Sequence, residues 1–381
     1  MTRDPGERLR QALALAIASG VCSAASAAIA VGGELVVHAD AGTLASQAAN
    51  GACADSACHA PVTRATRFDL ASLTKTYSAR VLLGLVDDRT LDLDRPIAAH
   101  LPEYAADPLR RTVTLRHLLT HTSGLPATWG GWHAPMAAVL ESTPTDAPVF
   151  LGSPLQDQDA LRRTLARTAL TAPPAQRWEY ACTGYNTAML VAEQATGTRW
   201  EDLVRHVVLE PAGLRDTDFA PREAGIVDVA RTEHQPRLHR GVIAGDVHDE
   251  SAWALGGRAA NAGLFATTDD VLRWAETIRR GADAATAHSM WDDQLPGILR
   301  RGTAGPSFGA SLGLRIGERS WMGPYFPTGR GHTGFTGTSF LVDRERAMSV
   351  VLLTNRVHPS RSGPPVTQLR LAVAEIAASC L

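Results

Sequence analysis

Lysine is almost absent from this chain. Of the 37 lysine and arginine residues among 381, Lys75 is the only lysine. Arginine supplies positive charge anywhere on a surface and keeps its proton. A lysine ammonium can be tuned by burial and neighbours until it gives that proton up near neutral pH. A lone lysine among arginines reads equally as codon bias or as a position that needs a removable proton. Net charge is also scarce, at −2, which removes the electrostatic case for nucleic acid or an anionic membrane as partner. No stretch reads as a coiled coil or repeat array. Hydrophobic residues at 45% and charged residues at 20% exclude a disordered chain. The length suits one large domain or two interleaved ones.

Cysteine is sparse and odd in number: Cys22, Cys53, Cys58, Cys182 and Cys380. An odd count without clear pairing fits a reducing compartment. Cys53 and Cys58, with His59 adjacent, either bind a metal or pair with each other, but their spacing matches no standard zinc pattern. The alanine-rich start, LRQALALAIASGVCSAASAAIAVGG, resembles a signal peptide in composition only. Asp4 and Glu7 occupy the would-be basic region, and no strongly hydrophobic run follows. Residues 6–20 have helical spacing instead, and SAAIAVGGELVVHA reads as two strands joined at Gly32-Gly33. A cytoplasmic protein is expected.

Farther along, Tyr77, Val81, Leu82 and Leu85 recur at helical spacing from Ser72 onward. TVTLRHLLTHTSGLP reads as a helix ended by Ser123-Gly124 and Pro126. His117 and His121 lie four apart on it, yet Leu118 stands where a zinc-protease motif has glutamate, so these read as structural histidines. The middle of the chain is helical with proline-rich joints. TDDVLRWAETIRR is capped by Thr267 or Thr268. TSFLVD and AMSVVLLTN flank a polar turn as an antiparallel hairpin, and an amphipathic helix ends the chain. Strands at both ends with helices between predict an α+β fold. The expected division is a sheet domain from residues 1–85 and 290–381, a mostly helical domain from 86–289, and an active site in the cleft between them.

Ser72 and Lys75 form a Ser-x-x-Lys pattern, and on a helix residues i and i+3 share a face. A serine hydroxyl is a poor nucleophile until a nearby base takes its proton. Alone, this pattern arises by chance for roughly one lysine in twenty. Two further blocks, WEYACTGYN around Tyr180 and GHTGFTGTSF around His332-Thr333-Gly334, lie far away in sequence. Taken in order, FDLASLTK, TLRHLLTHTSGLP, GDVHDESAWALGG, NAGLFATTDDVLRW and GHTGFTGTSFLVDRERAMSVVLLTNRVHP resemble the serine beta-lactamase superfamily. That group comprises class C beta-lactamases, DD-peptidases and related esterases. The likeness runs from about residue 8 to the end.

The resemblance implies an antiparallel sheet flanked by helices and a serine acyl-enzyme mechanism without a cofactor. Ser72 would be the nucleophile. Lys75 would take its proton or hold Tyr180 ready, and Tyr180 would serve as general base and then acid. The backbone N–H groups of Ser72 and Phe335 would form the oxyanion hole, where losing one donor typically costs about 10²–10³ in rate. His332 would donate a proton or bind a carboxylate when protonated, with a transition near an unperturbed pKa of about 6.5. Thr333, Gly334 and Cys182 would contact substrate, and Trp129 and Trp132 would line a pocket for an aromatic, sugar or nucleoside-like group or else pack between helices. His248 and Asp249 read as cleft-shaping. Two departures stand out: cysteine replaces the asparagine of Tyr-x-Asn, and histidine replaces the lysine opening the third motif. A thiol is a weaker donor and acceptor than an amide, which disfavours peptide or beta-lactam recognition. The expected function is an esterase, amidase or transacylase acting on a small-molecule acyl donor and acceptor, with a place in natural-product biosynthesis. A cell-wall DD-peptidase or beta-lactamase, and a non-catalytic binding protein on the same fold, are the alternatives. The oligomeric state is not readable.

Overall fold

A computed structural model of the protein describes residues 4–46, 56–144, 153–299, 303 and 305–381. Asp4 caps helix α1 (Pro5–Ala18) by accepting from the Glu7 N–H, and Pro5 supplies a preset first-turn φ. Leu9, Leu13 and Ala16 form its buried stripe. Strands β1 (Ala24–Val31) and β2 (Glu34–Gly42) follow as the hairpin expected from the sequence. Gly32 and Gly33 take positive φ at the turn, as tight hairpin turns require.

The short strand β3 (Phe68–Asp69) leads into the segment carrying Ser72 and then helix α2 (Thr74–Asp87). The helical middle contains α3 (Leu115–Leu119), α4 (Gln158–Ala166) and α5 (Cys182–Thr196). It also holds the two-residue strand β4 (Asp218–Phe219), then β5 (Leu264–Ala266) and α6 (Thr268–Arg280). Thr267 caps α6 through the Asp270 N–H. Strands β6 (Gly309–Ala310), β7 (Arg315–Ile316), β8 (Arg330–Thr333), β9 (Ser339–Asp343) and β10 (Met348–Thr354) precede the last helix, α7 (Thr367–Ala378).

The main sheet runs β2-β1-β10-β9-β8-β7-β6, so the first hairpin docks on the last long strand. Ala25 faces Thr354 and Val31 faces Met348 across that antiparallel seam. Both faces are covered. Val350 and Leu352 of β10 pack with α1 and α7, while Val351 and Leu353 point into a second core with α2 and α6. This explains an apolar, alanine-rich β1: a strand buried on both faces reads as a continuous apolar run. Helix α6, counted with the helical lobe in the sequence division, packs against β9 and β10.

Two sequence expectations change. TVTLRHLLTHTSGLP is helical only over Leu115–Leu119, and His121 then takes a positive φ of 59°. Cys58 is disulfide-bonded, whereas Cys22, Cys182 and Cys380 are free, so the cysteines no longer argue for a reducing compartment. Cys53 lies outside the described residues. Among the described residues no helix is long and apolar enough to cross a membrane.

Candidate active site

Ser72 sits in a single turn, Ala71–Leu73, that runs into α2. Ala71 before it has φ +45°, a left-handed conformation that costs free energy in a residue with a Cβ. The buried Asp69 holds it there. Its carboxylate accepts from the Ala71 N–H at 2.8 Å and the His248 N–H at 2.7 Å. Burial raises the Asp69 pKa, and the two backbone N–H groups oppose that rise.

Lys75 is fully buried, and its ammonium meets three acceptors. Nζ donates to Ser72 Oγ at 2.9 Å, to the Asn261 carbonyl at 2.9 Å and to Cys182 Sγ at 3.4 Å. Three donors are all that an ammonium has. Burial works against the charge, but the neighbouring Cys182 and Tyr180 more than offset it, so the Lys75 pKa is raised. A protonated Lys75 cannot accept the serine proton. What it can do is stabilise negative charge on the phenol, whose ring centroid lies 5.0 Å from Nζ.

Tyr180 is placed by His121, and this contact was not anticipated. The two rings lie 4.5 Å apart, and His121 Nδ1 accepts from the Ala181 N–H at 3.1 Å. Burial, with Lys75 and Arg315 nearby, holds His121 neutral, its pKa well below the usual histidine value. The two histidines therefore do structural work: His117 completes the capping of α3 with Thr114, and His121, beyond the end of that helix, supports the tyrosine.

The third block closes the site from β8. Thr336 Oγ1 donates to the Asp69 carbonyl at 2.7 Å and Thr338 Oγ1 to the Leu70 carbonyl at 3.0 Å. The turn after β8 is thereby tied to the strand that presents Ser72. A Cβ on Gly334 would come within 2.1 Å of Thr338 Oγ1 and 2.6 Å of the Leu70 carbonyl, so only glycine fits. Phe335 is about half exposed and stacks on His248 at 5.7 Å. His248 in turn meets Glu233 at 2.9 Å, in line with a shaping role.

A cavity of about 300 Å³ opens beside Ser72, with Tyr180, Arg315, Thr333, Gly334 and Phe335 around it. His332 is buried with its ring 6.0 Å from that of Tyr180, and its Nδ1 donates to the Thr333 carbonyl at 2.8 Å. Burial first, then Arg315 and Lys75, push its pKa well below the usual value. The expected transition near 6.5 is therefore displaced downward, and at neutral pH His332 carries no charge. Trp129 and Trp132 are not at this cavity: Trp129 lies in the core and Trp132 packs against it. The rings beside Tyr180 are those of His121 and His332, and the Arg315 guanidinium lies 5.0 Å from the Tyr180 ring and 5.6 Å from that of Phe308, which meets Trp178 edge to face.

Known proteins agree with this geometry. The family described as Beta-lactamase matches residues 9–375. A "Putative D-alanyl-D-alanine carboxypeptidase" of Escherichia coli (strain K12) is 28% identical over 326 residues, spanning 79% of this chain and 72% of that protein. Among solved structures, "EstCE1, a hydrolase with promiscuous acyltransferase activity" superposes with a TM-score of 0.72 at 23% identity, covering 98% of each chain. "Simvastatin Synthase (LOVD), from Aspergillus Terreus" gives 0.71 at 17% identity, covering 99% of this chain and 95% of that one. Those two likenesses speak for the fold. The chain is an enzyme of the serine hydrolase type, and it belongs to the beta-lactamase family.

Proposed function

We propose that the protein forms an acyl-enzyme on Ser72 from a small-molecule ester or amide and passes the acyl group to water, an alcohol or an amine. The observation that carries this reading is Lys75, buried and bonded at once to Ser72 Oγ and Cys182 Sγ with the Tyr180 ring alongside. In this reading Tyr180 is the general base: with the Lys75 ammonium facing its ring, it takes the Ser72 proton as Oγ bonds to the acyl carbon. The bond from that carbon to the leaving group then breaks, and Tyr180 returns the proton to the leaving group. The Ser72 and Phe335 N–H groups receive the negative oxygen, while Thr333, Gly334 and Cys182 border the substrate. His332, neutral through its burial, stands beside the Tyr180 ring, where its part in the reaction is positioning rather than charge. We place the sheet domain at residues 1–85 and 290–381 and the helical domain at 86–289, with the site where they meet. Transfer to a metabolite, as in natural-product assembly, is the version that fits a thiol in place of the second-motif amide.

Incubation with 4-nitrophenyl acetate tests this. Mass spectrometry should find one acetyl group on Ser72 and none on the Ser72→Ala protein. Adding an amine or alcohol should clear the label faster than water does if transfer is the reaction. An unlabelled Ser72 at every pH and donor concentration would overturn the reading. A carboxypeptidase acting on peptides is the second reading, favoured by the likeness to the E. coli protein. It requires release of the terminal residue from a D-alanyl-D-alanine peptide.

A further inference from the structure

Several segments converge on Phe335. Its N–H bonds to no acceptor among the described residues, which leaves it open to a substrate oxygen. That N–H shares one planar trans peptide with the Gly334 carbonyl, and the two point in opposite directions. Arg370 of α7 donates to the Gly334 carbonyl at 3.0 Å and so fixes the peptide from that side. The side chain fixes it from the other. The Phe335 ring is about half exposed, yet the His248 imidazole stacks on it at 5.7 Å with an interplanar angle of 26°. The Arg356 and Arg361 guanidiniums lie 5.4 and 5.8 Å from its centre. Arg356 and Arg370 also line the cavity beside Ser72, whereas His248 is buried and does not.

His248 is held by two carboxylates. Its Nε2 donates to Glu233 at 2.9 Å. Burial works against charge on Glu233, but its bonds to His248, Arg361 and Gln235 keep its pKa well below the usual carboxylate range. An imidazole gripped in this way cannot turn from Phe335 without breaking a charge-assisted bond. The His248 backbone N–H goes to Asp69 at 2.7 Å, and the same carboxylate accepts from the Ala71 N–H, one residue before Ser72. One residue therefore touches both halves of the oxyanion hole. It reaches Ser72 through Asp69 and Ala71, and it reaches Phe335 directly with its ring.

We propose that His248 is a positioning residue that sets the spacing between the Ser72 and Phe335 N–H groups, and that it does so through its ring. The inference rests on the acyl-enzyme reading, because the two donors serve an oxygen bonded to the carbon that Ser72 attacks. Donors slightly out of place still tolerate a neutral carbonyl but lose the oxygen as it becomes negative. The effect therefore belongs to the rate and not to KM.

Ser72 acetylation by 4-nitrophenyl acetate in the full chain tests this. His248→Gln keeps a donor for Glu233 and removes the ring, so the saturated rate should fall about tenfold or more with KM unchanged. His248→Phe keeps the ring and removes the donor, and it should stay within about threefold of the parent although a buried carboxylate loses one bond. A role in holding the fold alone would give the reverse order. Phe335→Leu, at a half-exposed position, should slow the reaction as His248→Gln does. Adding His248→Gln to it should change little further, since the ring it acts on is gone. Phenylboronic acid adds to a serine oxygen as a tetrahedral anion while the hydroxyl proton leaves to a base, and its affinity should fall with the rate. Four results each overturn the proposal: a His248→Gln protein at the parental rate, a His248→Phe protein as slow as His248→Gln, equal slowing of the parent and of Phe335→Leu by His248→Gln, or a boronate affinity that His248→Gln leaves unmoved. A parent never acetylated on Ser72 sinks the acyl-enzyme reading and this inference together, whereas a labelled parent with any of those results sinks the inference alone.

Discussion

At the scale of single residues, Lys75 carries the heaviest chemical demand. Its ammonium has no spare donor and no access to water, so both its length and its charge are fixed by Ser72, Asn261 and Cys182. Lys75→Arg keeps a cation but replaces a compact point charge with a planar fork whose donors aim elsewhere. The expected outcome is a fall in Ser72 acetylation rate of roughly 10²–10⁴, with the far-ultraviolet circular dichroism unchanged. A rate within a few-fold of the parent would remove Lys75 from the reaction. This residue was legible because it stood out: one lysine in an arginine background, three residues after a serine. The arginines of the cavity were illegible for the same reason reversed. Arg315, Arg356 and Arg370 are three among 36, and nothing local separates them from surface arginines. Trp129 and Trp132 left two readings open, pocket or packing, because a tryptophan near a motif looks the same in sequence either way, and the structure shows packing.

At the scale of elements, the site depends on two segments being cross-tied. Phe68–Ser72 and the turn after β8 share hydrogen bonds from Thr336 and Thr338, and Asp69 fixes the strained Ala71. Asp69→Asn leaves one oxygen to serve two backbone donors and turns an amide N–H₂ toward one of them. Urea denaturation should show a loss of about 1–3 kcal/mol. Ser72 acetylation should slow by about tenfold or more, since Ala71 positions the Ser72 N–H of the proposed oxyanion hole. A stability loss with an unchanged acetylation rate would reduce Asp69 to a fold-holding role. Periodicity made the strands and long helices readable, and the β9–β10 hairpin and α6 with its Thr267 cap follow directly from it. It could not show that α3 stops at Leu119, because His121 leaves the helix to meet Tyr180 and Ala181, partners about 60 residues away in sequence.

At the scale of the molecule, the two chain ends meet in one sheet, and that closure buries histidines as neutral groups. His358 follows β10 and bridges to the first half of the chain. Its Nδ1 donates to the Thr232 carbonyl at 2.7 Å, and its Nε2 accepts from the Ser46 N–H at 3.0 Å. Burial lowers its pKa, as it does for His117, His121 and His332. A histidine whose folded pKa lies below its unfolded value, about 6.5, lets the unfolded chain bind protons that the folded chain refuses. Its contribution is present above that value and is lost as pH falls through it toward the folded pKa. Asp69 and Asp270, raised by burial, act with the opposite sign. A single-histidine substitution therefore isolates the effect better than the parent curve does. His358→Gln keeps one donor and one acceptor without a titrating group. The urea midpoint of the parent should drop between pH 7.5 and 5.5, and the variant should drop less over the same interval. Parallel curves would mean that His358 takes up its proton inside the fold as readily as in the unfolded chain, and that the junction of the two chain ends is open to water.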